Sequence, residues 1–373
     1  MARERGGAAP APASALLEET RATLARHDGD AEVAAKALRT ARRREVLRTA
    51  LAGILDIITV DELGPALSDI TTTYLTGALE LARRDADGIE FAIVGMGRYG
   101  GSELGFGSDA DVMYVYRDVG AAERAQQRAE HVVRELVRLT EDLRLPFELD
   151  AGLRPEGRNG VIVRSLESYR AYYARWSLTW EAQALLRASV VAGDGALAAD
   201  FTELADGVRY PEALSEADAR EVRRIKARVE SERLPQAADP ARHLKLGRGS
   251  LSDVEWFVQL LQLQHAARHP GLRTTSTLGA LAAAVDAGLV AETDAARLRD
   301  AWLIASRARS AITLWSAKTA DVLPTDRRQL DGVARLMRYG AGGATRLEED
   351  YLRTTRLARQ VFERGFYGAA PGA

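Results

Sequence analysis

The glycine-rich run from Gly95 to Gly107 closes with Ser108-Asp109-Ala110-Asp111. Along an extended strand side chains alternate faces and the rise is about 3.3 Å per residue, so Asp109 and Asp111 project together, about 6.6 Å apart. Two carboxylates so placed can grip a pair of magnesium ions. In phosphoryl and nucleotidyl transfer such ions stand about 3.5–4 Å apart and clamp the attacking and leaving oxygens of an in-line displacement. The residues ahead of them, Gly97, Arg98, Gly100, Gly101 and Ser102, are expected to cradle a triphosphate through backbone amides, with Ser108 at the head of the acidic pair.

These residues need a strand on either side of the turn. Glu90 to Val94 is a short apolar run ending at the glycines, and Asp111 to Tyr116 alternates acid, apolar and aromatic residues, so both read as strands. Between Ala121 and Leu143, Ala125, Ala129, Val132, Val133, Leu136, Val137 and Leu143 keep the spacing of one long amphipathic helix. Phe147 to Asp150 reads as a third strand, Pro155-Glu156-Gly157 as a turn and Gly160 to Arg164 as a fourth strand. Strands are expected to cease there. Residues 166–192 and those from about Ser215 onward carry helical periodicity, with breaks at Pro235, Pro240, Pro270, Pro324 and the cluster Gly340, Gly342 and Gly343. Upstream, Leu47, Leu51, Ile54, Leu55, Ile58, Leu67, Ile70, Tyr74 and Leu75 read as amphipathic helices.

The fold class that follows is α+β, a small mixed sheet flanked by helices and followed by a helical bundle. Residues 1–14 are expected to be a disordered tail, 15–210 the sheet domain with its N-terminal helices, and 211–373 the helical domain. At 373 residues the chain exceeds the usual reach of one core, which agrees with two domains. Its 51 basic and 53 acidic residues leave a net charge of −2, so a surface that tracks a nucleic acid backbone is not expected. Absence of cysteine excludes disulfides, thiolate nucleophiles and Cys-ligated metal sites. The stretch after Arg3 and Arg5 lacks the apolar core of a signal peptide, and no segment approaches about 18 uncharged apolar residues. A cytoplasmic protein without membrane attachment is expected.

Gly95, Gly97 and Gly100 also spell G-x-G-x-x-G after a strand, the fingerprint of a dinucleotide fold. That motif requires a full crossover helix before the next strand, and the stretch from Gly100 to Asp111, interrupted by Gly101, Gly105 and Gly107, is too short for one. The spacing of a glycine turn to an Asp-x-Asp strand instead resembles the nucleotidyltransferase superfamily of the DNA polymerase β type. The resemblance implies a third carboxylate on a later strand, for which Asp150 is the candidate metal ligand and proton acceptor.

A narrower match is to the glutamine synthetase adenylyltransferase family. It is carried by residues 95–104, by Ser108 to Asp111, and by three later blocks: Asp150-Ala151-Gly152-Leu153-Arg154-Pro155-Glu156-Gly157, Trp180-Glu181-Ala182-Gln183-Ala184-Leu185, and Lys245-Leu246-Gly247-Arg248-Gly249. Ordered matches run from about residue 89 to the C-terminus. Family members carry two catalytic halves, one attaching AMP to a glutamine synthetase tyrosine and the other removing it by phosphorolysis. The Trp180 block and the lack of a second Asp-x-Asp unit resemble the C-terminal, adenylyl-attaching half. The resemblance implies ATP as substrate, two magnesium ions at Asp109, Asp111 and Asp150, glutamine synthetase as partner and control by a PII signal protein. The reverse, adenylyl-removing reaction and a non-catalytic module docking on glutamine synthetase or PII are the alternatives. Gly152 stands where many members have arginine, and Arg98 replaces the serine of the wider superfamily's turn.

Arg154 lies just beyond the third acid, where its guanidinium can neutralise phosphate oxygens, and Arg158 follows it. Ser252-Asp253-Val254-Glu255 has capping-box spacing ahead of an apolar helix from Trp256 to Leu263. His265 and His269 stand at i and i+4, yet the sequence offers no evident third ligand for a metal.

Overall fold

The computed structural model describes residues 9–120, 124–176, 179–234 and 239–368. Residues 1–8 of the expected tail, 121–123 of the expected helix and the break at Pro235 lie outside the described residues. The chain divides into two compact units, Met1–Leu104 with Ser108–Val208, and Gly105–Gly107 with Arg209–Ala373.

The first unit opens with helices α1 (Ala13–Arg26), α2 (Ala31–Ile54) and α3 (Val60–Ala82). Asp30 caps α2 by accepting from the amides of Glu32 and Val33, and Glu62 reaches back to Thr59 N at 2.7 Å to close the start of α3. The expected apolar face of α2 is corrected in part. Leu47, Leu51 and Leu55 are exposed, while Ala34, Ala35, Leu38 and Ala50 are buried; small residues let α2 lie close to α3 and push the leucine row outward.

Five strands then form one mixed sheet: β1 (Ile89–Gly95), β2 (Ala110–Asp118), β3 (Leu149–Asp150), β4 (Val163–Ser165) and β5 (Ser189–Gly193). Between them lie α4 (Gly97–Gly100), α5 (Ala125–Thr140), α6 (Leu166–Trp176) and α7 (Thr179–Leu185), and α8 (Gly195–Arg209) follows β5. Strand β1 pairs antiparallel with β2 and with β5, while β3 and β4 run parallel to β2 along its other edge. The antiparallel β1–β2 pair joined by a single helical turn removes the dinucleotide reading, which needs parallel strands.

Strand β5 overturns the expectation that strands cease after the fourth. Val190 and Val191 are β-branched and follow an apolar stretch that also suits a helix, so periodicity alone did not separate the two. The third strand is shorter than expected, beginning at Leu149 rather than Phe147, and α5 ends at Thr140, leaving Leu143 exposed.

Side chains alternate along the strands, and Ala92, Val94, Met113 and Val115 form one core with Leu166, Tyr169 and Tyr173 of α6 and Leu197 and Phe201 of α8. Nearly every residue of β1 is buried, as expected of a strand covered on both faces.

The second unit is helical: α9 (Glu216–Glu232), α10 (Leu251–His265), α11 (Thr277–Asp286), α12 (Glu292–Ser316), α13 (Arg327–Leu336) and α14 (Ala344–Phe362). The expected capping box is corrected. The N-cap is Ser250, Ser252 lies inside α10, and Asp253 is buried, accepting from Gly249 N at 2.6 Å. Asp253 also pairs with Lys226 at 2.6 Å and Arg359 at 2.9 Å, so an acid that reads as a helix start is the hub of an internal ion network. Among the described residues no helix is long and apolar enough to cross a membrane.

Candidate active site

The sheet brings the three acids together. Asp111 is in β2 and Asp150 in β3, where they are register partners, so both side chains leave the same face of the sheet. Asp109 precedes β2 by one residue and shares the parity of Asp111. One oxygen from each of the three carboxylates lies within 4.8 Å of the others, and among the described residues this is the one acidic or histidine cluster of that kind. Asp109 is exposed while Asp111 and Asp150 are half-buried, so the cluster opens to solvent on one side. Hard carboxylate oxygens without histidine or thiolate are the donor set that suits magnesium rather than zinc or copper. The residues present therefore fit the implied ions.

Two backbone amides fix the frame: Met96 N donates to Asp111 O at 2.8 Å and Ala110 N to Glu148 O at 2.9 Å. Asp150 closes an Asx turn, its Oδ1 accepting from Gly152 N at 2.7 Å. A Cβ on Gly152 would stand 2.9 Å from that oxygen, so the loop passes close to the Asp150 carboxylate.

The glycine turn lies directly on the acids. Gly97 has φ +52°, and a Cβ there would stand 2.5 Å from Asp111 Oδ2, so both conformation and contact demand glycine. The amides of Gly100, Gly101, Ser102 and Glu103 donate to the carbonyls of Met96, Gly97, Tyr99 and Arg98. This narrows the expectation for a phosphate cradle, because those four amides hold the shape of the turn. Arg98 is half-buried and donates through Nε to Glu103 O at 2.8 Å; Ser102 is exposed at φ +58°, and Ser108 is half-buried beside Asp109 in sequence.

Arg154 is aimed differently from the sequence-based expectation. Its guanidinium donates to the carbonyls of Ala151, Arg158 and Gly160 at 2.7, 3.1 and 2.9 Å, so it clamps the loop that follows Asp150.

Several residues that position the turn escaped the sequence reading. Arg187, just ahead of β5, is buried and donates to Gly97 O at 3.1 Å and Glu103 Oε2 at 2.5 Å. Tyr99 is buried with its hydroxyl 3.0 Å from Thr72 Oγ1 of α3, and burial pushes its pKa up. Gly64 of α3 approaches so closely that a Cβ would stand 2.9 Å from Glu103 Cα. One signal was available: Arg187 interrupts the apolar run Leu185-Leu186-Arg187-Ala188, and a charge in such a run is almost always paired.

Residues 2–204, more than half of the chain and the whole of this site, match the family model described as glutamate-ammonia ligase adenylyltransferase. The chain belongs to that family. The helical residues 220–366 match a second model, described as GlnD PII-uridylyltransferase. Among curated proteins, the chain is 67% identical over 357 residues to a bifunctional glutamine synthetase adenylyltransferase/adenylyl-removing enzyme of Leifsonia xyli, covering 95% of this chain and 35% of the relative. Identically named proteins of Streptomyces coelicolor and Mycolicibacterium smegmatis are 49% and 46% identical, over 97% and 95% of this chain and 38% and 37% of their own lengths. The chain thus spans little more than a third of the adenylyltransferases it matches. His265 and His269 have ring centroids 6.4 Å apart, and no third metal-binding group joins them among the described residues.

Proposed function

We propose that this chain transfers AMP from ATP to a tyrosine hydroxyl of glutamine synthetase, with magnesium held by Asp109, Asp111 and Asp150. The observation that carries the reading is the convergence of the three carboxylates within 4.8 Å, against a glycine turn that admits no side chain over Asp111. An uncompensated cluster of this kind repels a triphosphate, so the site works only with cations between the two. Bound magnesium supplies charge neutralisation for the triphosphate and for the departing pyrophosphate.

The chain's own residues do the rest. Asp109 and Asp111 hold the donor oxygens in place from the head of β2, and Gly97 keeps a side chain from filling the space over Asp111. The acceptor oxygen forms a bond to the α-phosphorus as the bond from that phosphorus to the bridging oxygen breaks, and pyrophosphate leaves. Asp150, its Oδ1 held by the Gly152 amide, offers Oδ2 to take the tyrosine proton. With ATP as donor the reaction is a cytoplasmic one.

The printed name of the relatives supports a second reading, in which the same acids serve the reverse task and phosphate attacks adenylyl-tyrosine to release ADP. Purified chain is incubated with glutamine synthetase and α-labelled ATP, and separately with adenylylated glutamine synthetase and phosphate. Label on glutamine synthetase supports the forward reading and ADP release the reverse. Absence of magnesium-dependent ATP binding would leave a docking module. The match of the helical unit to a PII-uridylyltransferase model supports a PII signal protein as a further partner, tested by co-purification with that unit intact.

A further inference from the structure

We infer that Arg187 is a positioning residue for the carboxylate site, acting through Gly97 on Asp111; the inference rests on the metal-binding reading above. Arg187 and Glu103 are 7% and 6% exposed in their side chains and form an enclosed ion pair at 2.5 Å. An enclosed pair of this kind often contributes no more to folding than apolar residues of the same size, so its presence calls for a specific geometric task. That task is visible in the contacts. The guanidinium joins the two ends of the turn, taking Gly97 O through Nε at 3.1 Å and the Glu103 carboxylate through Nη2.

The turn is moulded to this one residue. A Cβ on Gly101 would stand 2.2 Å from Arg187 Nη2, and a Cβ on Gly100 would stand 1.9 Å from Arg187 O. Those two glycines, which in sequence read as a phosphate loop, are where the turn lies flush on the arginine. On its other side the turn meets the site, with Gly97 against Asp111 Oδ2. The internal amide bonds of residues 100–103 already close the turn. What Arg187 adds is a fixed place for the Gly97 carbonyl, and so for the surface on which the Asp111 carboxylate rests. Outer partners that orient metal ligands typically alter metal affinity or activity by about 10–100-fold when removed.

The test uses Mn2+ as the probe, titrated by electron paramagnetic resonance into the wild type, Arg187→Met, Arg187→Lys, Glu103→Gln and Gly101→Ala, with Asp111→Asn as the reference and a thermal melt for each. Glu103→Gln keeps the size of the side chain while removing its charge, at a cost in stability that the melt reads, and Gly101→Ala pushes the guanidinium aside while leaving it present. Both are expected to weaken Mn2+ binding by roughly 10–100-fold, with Arg187→Lys recovering part of what Arg187→Met loses. Wild-type Mn2+ affinity in Glu103→Gln and Gly101→Ala, with only the melting temperature lowered, would overturn the inference and leave a structural pair. If the wild type takes up no Mn2+, or Asp111→Asn takes it up equally well, the metal-site reading itself fails and this inference with it.

Discussion

Asp111 and Asp150 are register partners on adjacent parallel strands, so two carboxylates leave one face of the sheet side by side. Like charges directly opposite one another destabilise a sheet. A chain that nevertheless places them there, with Asp109 completing the group, holds three carboxylates together at the expense of local stability, as the proposed cation site requires.

Replacing Asp111 or Asp150 by Asn is therefore expected to separate activity from folding. AMP transfer should fall by at least ~100-fold, since even the outer partners of a metal ligand account for about 10–100-fold. The melting temperature without metal should stay level or rise as repulsion is relieved. A variant that melts well below the wild type would count against the electrostatic account.

Gly97→Ala and Gly207→Ala should move stability in opposite directions. At Gly97 the left-handed backbone costs a side chain about 1–2 kcal/mol, and the new methyl meets Asp111 Oδ2, so both melting temperature and metal affinity fall. Gly207 lies exposed within α8 with open space around it, and alanine there should stabilise by roughly 0.5–1 kcal/mol. Urea melts of the two variants measure both signs.

Lys226→Met should be among the most destabilising single changes in the helical unit. Lys226 is fully buried and pairs with Asp253 at 2.6 Å and Glu230 at 3.0 Å. Stripping one partner from a buried pair costs about 3–5 kcal/mol, and Arg359, still bound to Asp253, should hold the loss near ~3 kcal/mol. The double variant Lys226→Met with Asp253→Asn should recover part of it, which denaturation of all four species would reveal.

Stability should fall on mild acidification through His243. Burial holds its pKa below the usual histidine value, with Arg309 acting in the same direction and Asp321 against it. The neutral ring is also the one its surroundings require, because Nδ1 accepts from Leu246 N at 3.0 Å and Lys245 N at 3.3 Å. The unfolded chain thus takes up a proton at about pH 6.5 that the folded chain resists, so the contribution of His243 is intact above that pH and is lost as pH falls below it through the lower folded-state value. His243→Asn, which keeps an acceptor, should flatten the slope of unfolding free energy between about pH 7 and 5. Identical slopes would exclude His243 as the cause.

The main features of the site were legible because they depend on short-range rules. Period-two alternation put Asp109 and Asp111 on one face, and glycine between a strand and those acids announced a backbone that must pass close by. The α+β class was equally readable from the switch between the two periodicities. Misreadings arose where one local pattern fits two environments. Ser189 to Gly193 suits helix or strand until β1 offers it an edge. Ser252 to Glu255 spells a cap, but Lys226 and Arg359 draw Asp253 inside. Leu47, Leu51 and Leu55 mark a helix face without saying that the smaller residues would be the ones buried.

The sequence by itself determined the candidate residues, the paired acids and the glycines beside them, and its blocks of matching residues carried the family resemblance. Only the tertiary structure decided which partners they meet. Bringing Asp150 beside Asp111 takes a parallel strand pairing across the whole of α5, and setting Arg187 beneath Gly97 joins residues 90 positions apart. Such contacts arise from closing the sheet and burying its faces, and no local periodicity encodes which distant charge will fill the space under a turn.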